Sequence, residues 1–232
     1  MPTRTLASIK GRTMRLTMLD ACGTPLPEDD SCRTVVSDGF ISIQIQGQYD
    51  EPLRYQSRNI WGNLCVNDTA PGELLRASVA ITLCDVHPDV LTVTRAAEAV
   101  LHNGEAIGVH LPTGRDWHGF ALEVWTKNVN GCGQWGYISV PFCRNARLTD
   151  SVTIASQTLT VTLEADALPA TSAWGTTPYT LNPFMEPFPV ASVFGMVVTD
   201  VPPPAPVDLS LCIDRLLPGG VLWIDACESE TV

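Results

Sequence analysis

The chain is poor in charge, in histidine and in reactive patterns. Of its 232 residues, 17% are Asp, Glu, Lys or Arg, and 4 are histidine. No stretch approaches the roughly 20 apolar residues of a membrane-spanning helix, so a helical membrane protein is excluded and no membrane partner is expected. The 8 cysteines include no Cys-x-x-Cys pair, which removes zinc-ribbon and thioredoxin-like spacing. There is no Gly-x-Ser-x-Gly elbow and no phosphate-binding P-loop. Basic residues are few: Lys and Arg number 14 against 25 Asp and Glu, a formal charge of −11. Such a surface repels phosphate backbones, so specific DNA binding is not expected. Residues 1–10 lack the apolar core of a signal peptide, and the expectation is a protein that stays in the cytosol where it is made.

What is present suits a folded domain. Apolar residues make up 45% of the chain, and a fold of this size buries enough surface to need no cofactor or metal. The cysteines (Cys22, Cys32, Cys65, Cys84, Cys132, Cys143, Cys212, Cys227) are read first as buried free thiols acting as small hydrophobes. Late disulfides in an oxidising exterior and a metal site stay open as alternatives.

Strand signals dominate. Met14, Leu16 and Met18 alternate with Arg15 and Thr17, before a turn over residues 20–27. In residues 40–48, Ile41, Ile43 and Ile45 are expected on one face, with Ser42, Gln44, Gln46 and Gln48 on the other. Leu159, Val161 and Leu163 alternate in the same way with Thr158, Thr160, Thr162 and Glu164. Phe120, Leu122 and Val124 share a face opposite Ala121, Glu123 and Trp125. Asn103-Gly104 predicts a two-residue hairpin turn. One short helix is expected over residues 88–95, with Asp85 as its cap, Pro88 near its start, and Val90, Leu91 and Thr94 inward. Breaks are expected at residues 23–30, 68–72, 112–118, 128–133 and 174–189. Pro141 predicts an edge or a bulge in the strand that holds it. The fold class is therefore mainly β, an antiparallel β-barrel or sandwich with one short α-helix and extended loops. A body over 1–201, a proline-rich spacer over 202–206 and a C-terminal β arm over 207–232 complete the organisation.

Motifs that suggest chemistry fail on context. Residues 131–136 spell G-x-G-x-x-G, but a strand follows where dinucleotide binding needs a helix N-terminus. His87, His102, His110 and His118 include no i, i+4 pair; a metal-dependent enzyme around His87, His110 and His118 is an alternative. Adjacent acids such as Asp29–Asp30 and Asp50–Glu51 read as solvated turns. The tryptophans read as core or interface anchors, with a carbohydrate-binding β-sandwich module as the alternative. No catalytic residue, metal ligand or cofactor is assigned.

Five phrases in order carry a resemblance: residues 11–23 (GRTMRLTMLDACG), 36–43 (VSDGFISI), 81–88 (ITLCDVHP), 119–126 (GFALEVWT) and 135–142 (WGYISVPF). Together they resemble the major tail proteins of long-tailed phages of actinobacteria, over residues 11–206. The resemblance implies a structural subunit of the tail tube, self-assembling into stacked hexameric rings whose lumen conducts DNA during ejection. Its partners would be further copies of itself and other tail proteins, with DNA passing transiently and without specific binding. It would reside in the phage tail after assembly in the bacterial cytoplasm. A tail-end or decoration protein sharing the tube fold is the nearer alternative. For such a tube, the candidate lumen residues are Ser42, Gln44, Gln46 and Gln48, or Thr158, Thr160, Thr162 and Glu164. Candidate assembly residues are Tyr49, Tyr55, Ile60, Trp61, Leu74 and Leu75, in segments 49–61 and 67–76 expected as reaching loops. Leu209, Leu211 and Trp223 join them on the C-terminal arm, where the chain departs from the family pattern. The longer 23–33 turn is a second departure.

Overall fold

Alternating apolar residues build one curled antiparallel sheet. The computed structural model describes residues 8–25, 34–84, 87–102, 105–111, 118–128, 133–149, 153–154, 159–170 and 189–205. Their strands are β1 (Ser8–Leu19), β2 (Thr34–Ser37), β3 (Phe40–Tyr49), β4 (Leu53–Arg58), β5 (Leu64–Ala70) and β6 (Leu74–Leu83). After the helix α1 (Pro88–Val93) come β7 (Glu98–His102), β8 (Glu105–His110), β9 (Gly119–Asn128) and β10 (Trp135–Leu148). The last are β11 (Thr153–Ile154), β12 (Leu159–Ala167) and β13 (Gly195–Thr199). The main sheet runs β2-β1-β9-β10-β12-β6-β3, with β11 added to β12 and β13 to β10; β4-β5 and β7-β8 are separate hairpins. This is the mainly β architecture that the alternation predicts.

Chain connectivity forces the sheet to close. Its outermost strands, β2 and β3, are separated only by Asp38 and Gly39. Three residue steps span at most about 11 Å, so the two edges must meet. The seam is packed by a ring: a Cβ on Gly11 of β1 would lie 2.7 Å from Phe40 Cε2 on β3. Glycine there gives Phe40 its seat.

The long β10 joins the two halves of the curled sheet. Its first half pairs with β9 and β13, and its second half with β12. A register shift between Val140 and Cys143 places a bulge at Pro141, and a second lies between Arg144 and Arg147. Asn145 has φ 56°, the left-handed conformation that asparagine tolerates better than most residues. Bulges bend a strand and increase its twist, so one strand serves both halves of the sheet. Pro141 thus marks a bulge in an interior strand.

Met14, Leu16, Met18, Val79, Ile81, Leu83, Phe120, Leu122, Val124 and Leu163 fill the core, joined by Val90, Leu91 and Val93 of α1. The cap of α1 is His87, not the expected Asp85, which lies outside the described residues. Pro88 occupies the first helical turn, so the capping position falls immediately before it. Ile41 also departs from expectation. Phe40 pairs with Leu83 and Ser42 with Thr82, which makes Ile41 a bulged extra residue, 58% exposed. The bulge lets Phe40, Ile43 and Ile45 all pack on the core despite their uneven spacing.

Two expected loops are strands. Segment 49–61 contains β4, segment 67–76 holds the end of β5 and the start of β6, and the break begins after Ala70 rather than at Asp68. The strands flanking Asn103-Gly104 pair as a hairpin, His102 opposite Glu105; the turn dipeptide itself lies outside the described residues. So do Thr158, Leu209, Leu211, Trp223 and residues 207–232 as a whole. Among the described cysteines, Cys143 is a buried thiol, but Cys65 and Cys84 are exposed. Cys22 is disulfide-bonded, which corrects the expectation of free thiols at that position.

Candidate assembly interface

The two polar stripes offered separately by the sequence lie on one surface. β6 pairs with β3 on one side and β12 on the other, forming cross-strand rows. These rows read Ser42–Thr82–Thr162, Gln44–Ala80–Glu164 and Gln46–Ser78–Asp166. The opposite side of β6 and β12 (Val79, Ile81, Leu83, Val161, Leu163) is buried in or against the core. Gln44, Gln46 and Gln48 are exposed, while Ser42, Thr160, Thr162 and Glu164 are half-buried. A shallow groove on this face is lined by Gln44, Gln46, Ser78, Asn145, Arg147 and Glu164, among others. Arg147 Nη2 donates to Glu164 Oε2 at 3.1 Å as an ion pair, and the neutral Asn145 Nδ2 donates to Asp166 Oδ2 at 2.9 Å. An exposed ion pair such as Arg147–Glu164 stabilises by at most about 1 kcal/mol. Gln48 sits apart at the end of β3, accepting from Arg76 Nε at 2.6 Å.

Beyond Gln48 the chain enters an arm. Every residue of β4 and all of β5 except Ala70 are exposed. At its root, Asp50 N–H donates to the Glu73 carbonyl at 2.9 Å. Gly72 is packed so closely there that a Cβ would sit 1.9 Å from the Asp50 carbonyl oxygen. The register places Leu53 opposite Ala70, Tyr55 opposite Asp68 and Ser57 opposite Val66, giving one largely apolar face. Arg54, Gln56 and Arg58 alternate onto the other face, where Gln56 Nε2 donates to Asn67 Oδ1 at 3.2 Å.

The tip is ordered by its own hydrogen bonds. Asn59 Oδ1 accepts from Trp61 N–H at 3.0 Å and Asn63 N–H at 2.9 Å. Arg58 Nη1 donates to the Gly62 carbonyl at 2.8 Å. The turn thereby presents Ile60 and Trp61 outward, 92% and 80% exposed. Tyr49, Tyr55 and Leu75 are also exposed, whereas Leu74 is half-buried against the core. Leu53, Leu64 and Val66 are exposed arm residues that the sequence reading passed over. The alternation of Leu64 and Val66 with Cys65 and Asn67 was the available signal.

On the β1–β9–β10 half of the sheet, a buried polar centre crosses three strands. Arg15 on β1 donates to Glu123 on β9 through Nε (2.5 Å) and Nη2 (2.6 Å), and Tyr137 on β10 adds its hydroxyl at 2.5 Å. Trp125 meets the Tyr137 ring edge-on at 5.0 Å, and the Arg15 guanidinium lies 5.4 Å from the Trp125 ring centre. Burial, the largest single influence, would lower the Arg15 pKa, but the Glu123 charge, the hydrogen bond to Glu123 and the charge interaction with Tyr137 together raise it. Burial, reinforced by Glu123, pushes the Tyr137 pKa above its ordinary value. Burial also raises the Cys143 thiol, which behaves as a hydrophobe. The Glu123 side chain is 2% exposed and engaged by three donor groups, so the cluster is suited to pinning strands together.

The histidines are dispersed. His87 Nδ1 accepts from Asp89 N–H at 3.4 Å, and His110 lies 3.4 Å from Glu98. Among the described residues, no three of His, Cys, Asp or Glu converge as metal ligands. No helix among them is long and apolar enough to cross a membrane.

No family model matches the sequence. No curated protein matches it significantly. Among solved structures, a chain of the six-fold symmetrised anti-feeding prophage baseplate is similar at 12% identity and TM-score 0.34, over 71% of this chain and 92% of that one. A chain of the PVC sheath-tube complex, an extracellular contractile injection system in its extended state, is similar at 10% identity and TM-score 0.32. That similarity covers 69% of this chain and 87% of that one. Both TM-scores lie below 0.5 and assign no function.

Proposed function

We propose that the chain is the repeating subunit of a phage tail tube, assembling into hexameric rings that stack around a DNA-conducting lumen. The observation that carries this reading is the β4–β5 arm. An isolated two-stranded hairpin is at best marginally stable, and exposed apolar residues along it are costly unless something covers them. A neighbouring copy of the chain answers both needs. Contacts between unlike patches on successive copies also generate rings and open stacks.

The groove-bearing face of β3, β6 and β12 supplies the wall of the lumen in this reading. Glutamine, serine and threonine side chains there release no counterions from a nucleic-acid backbone, so DNA slides past without capture. The hexameric count and the passage of DNA come from the sequence resemblance. The partners are further copies, with other tail proteins at the tube ends; the product is a virion component without catalysis or cofactor.

Negative-stain microscopy of the concentrated protein tests the reading directly. Rings or tubes about 100 Å wide are expected from several barrels of this mass side by side. Monomers persisting at every concentration would overturn it.

A further inference from the structure

The arm is divided by charge as well as by polarity, and the division points to how two copies meet. Arg54 and Arg58 share its polar face, four residues and therefore about 13 Å apart. On that face Arg54 lies opposite Thr69 and Arg58 opposite Leu64, and neither neighbour carries a charge. Asp68 of the stem lies on the opposite face, across from Tyr55, while two acids sit at the root: Glu51 and Glu73 are both exposed, beside the Asp50–Glu73 backbone bond. Neither arginine forms an ion pair with an acid within the described chain, and neither do Glu51 and Glu73. The root of the arm is thus acidic and the Arg54/Arg58 face of its stem basic, on a protein whose overall charge is −11.

We propose that the stem of one copy's arm lies across the root of the next copy's arm, so that Arg54 and Arg58 face Glu51 and Glu73 of a second copy. This rests on the self-assembly reading above and adds the register in which arms engage. Two arms side by side in the same register would set basic stem against basic stem. A stagger replaces that repulsion with attraction and leaves the apolar face of Leu53, Tyr55 and Val66 free to pack on the second copy's body. Such charge complementarity selects orientation and register more than it supplies affinity.

Charge exchange between two variants tests this. Arg54→Glu with Arg58→Glu makes stem and root both acidic; Glu51→Arg with Glu73→Arg makes both basic. Each variant alone is expected to assemble only at roughly tenfold or higher concentration than the original chain, since attraction becomes repulsion at two contacts. An equimolar mixture is expected to return close to the original threshold, because alternating copies restore opposite charges at every contact. Arg54→Glu alone, which keeps the Arg58–Gly62 bond, should move in the same direction as the double change. A mixture no better than either variant alone overturns the stem-on-root contact, as does unchanged assembly of the separate variants. Failure of the original chain to assemble at any concentration overturns the tube reading as well.

Discussion

Replacing Ile60 and Trp61 together by serine removes the most exposed apolar pair of the arm. Ile60 is 92% exposed and Trp61 80%, so neither contributes appreciable burial to the isolated subunit. Covering them in an assembly stabilises each contact by about 2 kcal/mol for the isoleucine and about 3 kcal/mol for the larger indole. The turn is already held by Asn59 and by the Arg58–Gly62 bond, so little ordering entropy offsets this gain. At 1.4 kcal/mol per factor of ten, losing about 5 kcal/mol raises the assembling concentration more than a thousandfold. With half of the surface covered, the shift is still roughly sixtyfold. Sedimentation velocity across a concentration series, with negative-stain images at each point, reads the threshold. The Tm of the dilute variant should match that of the original chain. An unchanged threshold would refute the reasoning, because the tip would then lie outside every contact. A large fall in Tm would refute it differently, by showing that the pair supports its own subunit.

Three further outcomes follow from the geometry. Tyr137→Phe removes one donor to Glu123 while leaving the Arg15 pair, and should lower stability by about 1–2 kcal/mol in urea unfolding at neutral pH. Because the Tyr137 pKa is raised in the fold, the unfolded chain loses this proton first. The tyrosine's contribution is therefore full below about pH 10 and lost as pH rises beyond it, by about 1.4 kcal/mol per pH unit; the phenylalanine variant should lack this component. Gly72→Ala must displace the arm root, since its Cβ would collide with the Asp50 carbonyl; slower assembly and faster proteolysis within residues 50–73 are expected, with the core's unfolding midpoint little changed. Gln44→Lys with Gln46→Lys puts two cations on the groove-bearing face, and should slow DNA ejection from assembled particles without blocking tube formation; unchanged ejection kinetics would remove those positions from the lumen.

The strand-by-strand pattern was legible because it is local. Phe120, Leu122 and Val124 alternate with Ala121, Glu123 and Trp125 whatever the rest of the chain does, and β9 shows that alternation. The arm was only partly legible. Its apolar content stood out in Tyr55, Ile60 and Trp61, but a hairpin with prolines and acids at its root reads as loop when the pairing partner is unknown. Ile41 was misplaced for a related reason: a bulge adds one residue to one strand, and only the opposing strand reveals the offset. The buried centre was invisible, since Arg15 and Glu123 are 108 residues apart and each alone reads as a surface charge.

By itself, then, the order of residues determined the fold class, the apolar faces of the main strands and the stretches that must turn. Those depend on side-chain alternation and backbone preference within a few residues. Tertiary structure alone decided that the glutamine stripe and the threonine stripe form one surface, that the sheet closes with Phe40 over Gly11, and that the arm stands away from the body. These are pairings between segments distant in the chain. Their energy comes from burial and register summed over many contacts, a quantity that no local window of sequence contains.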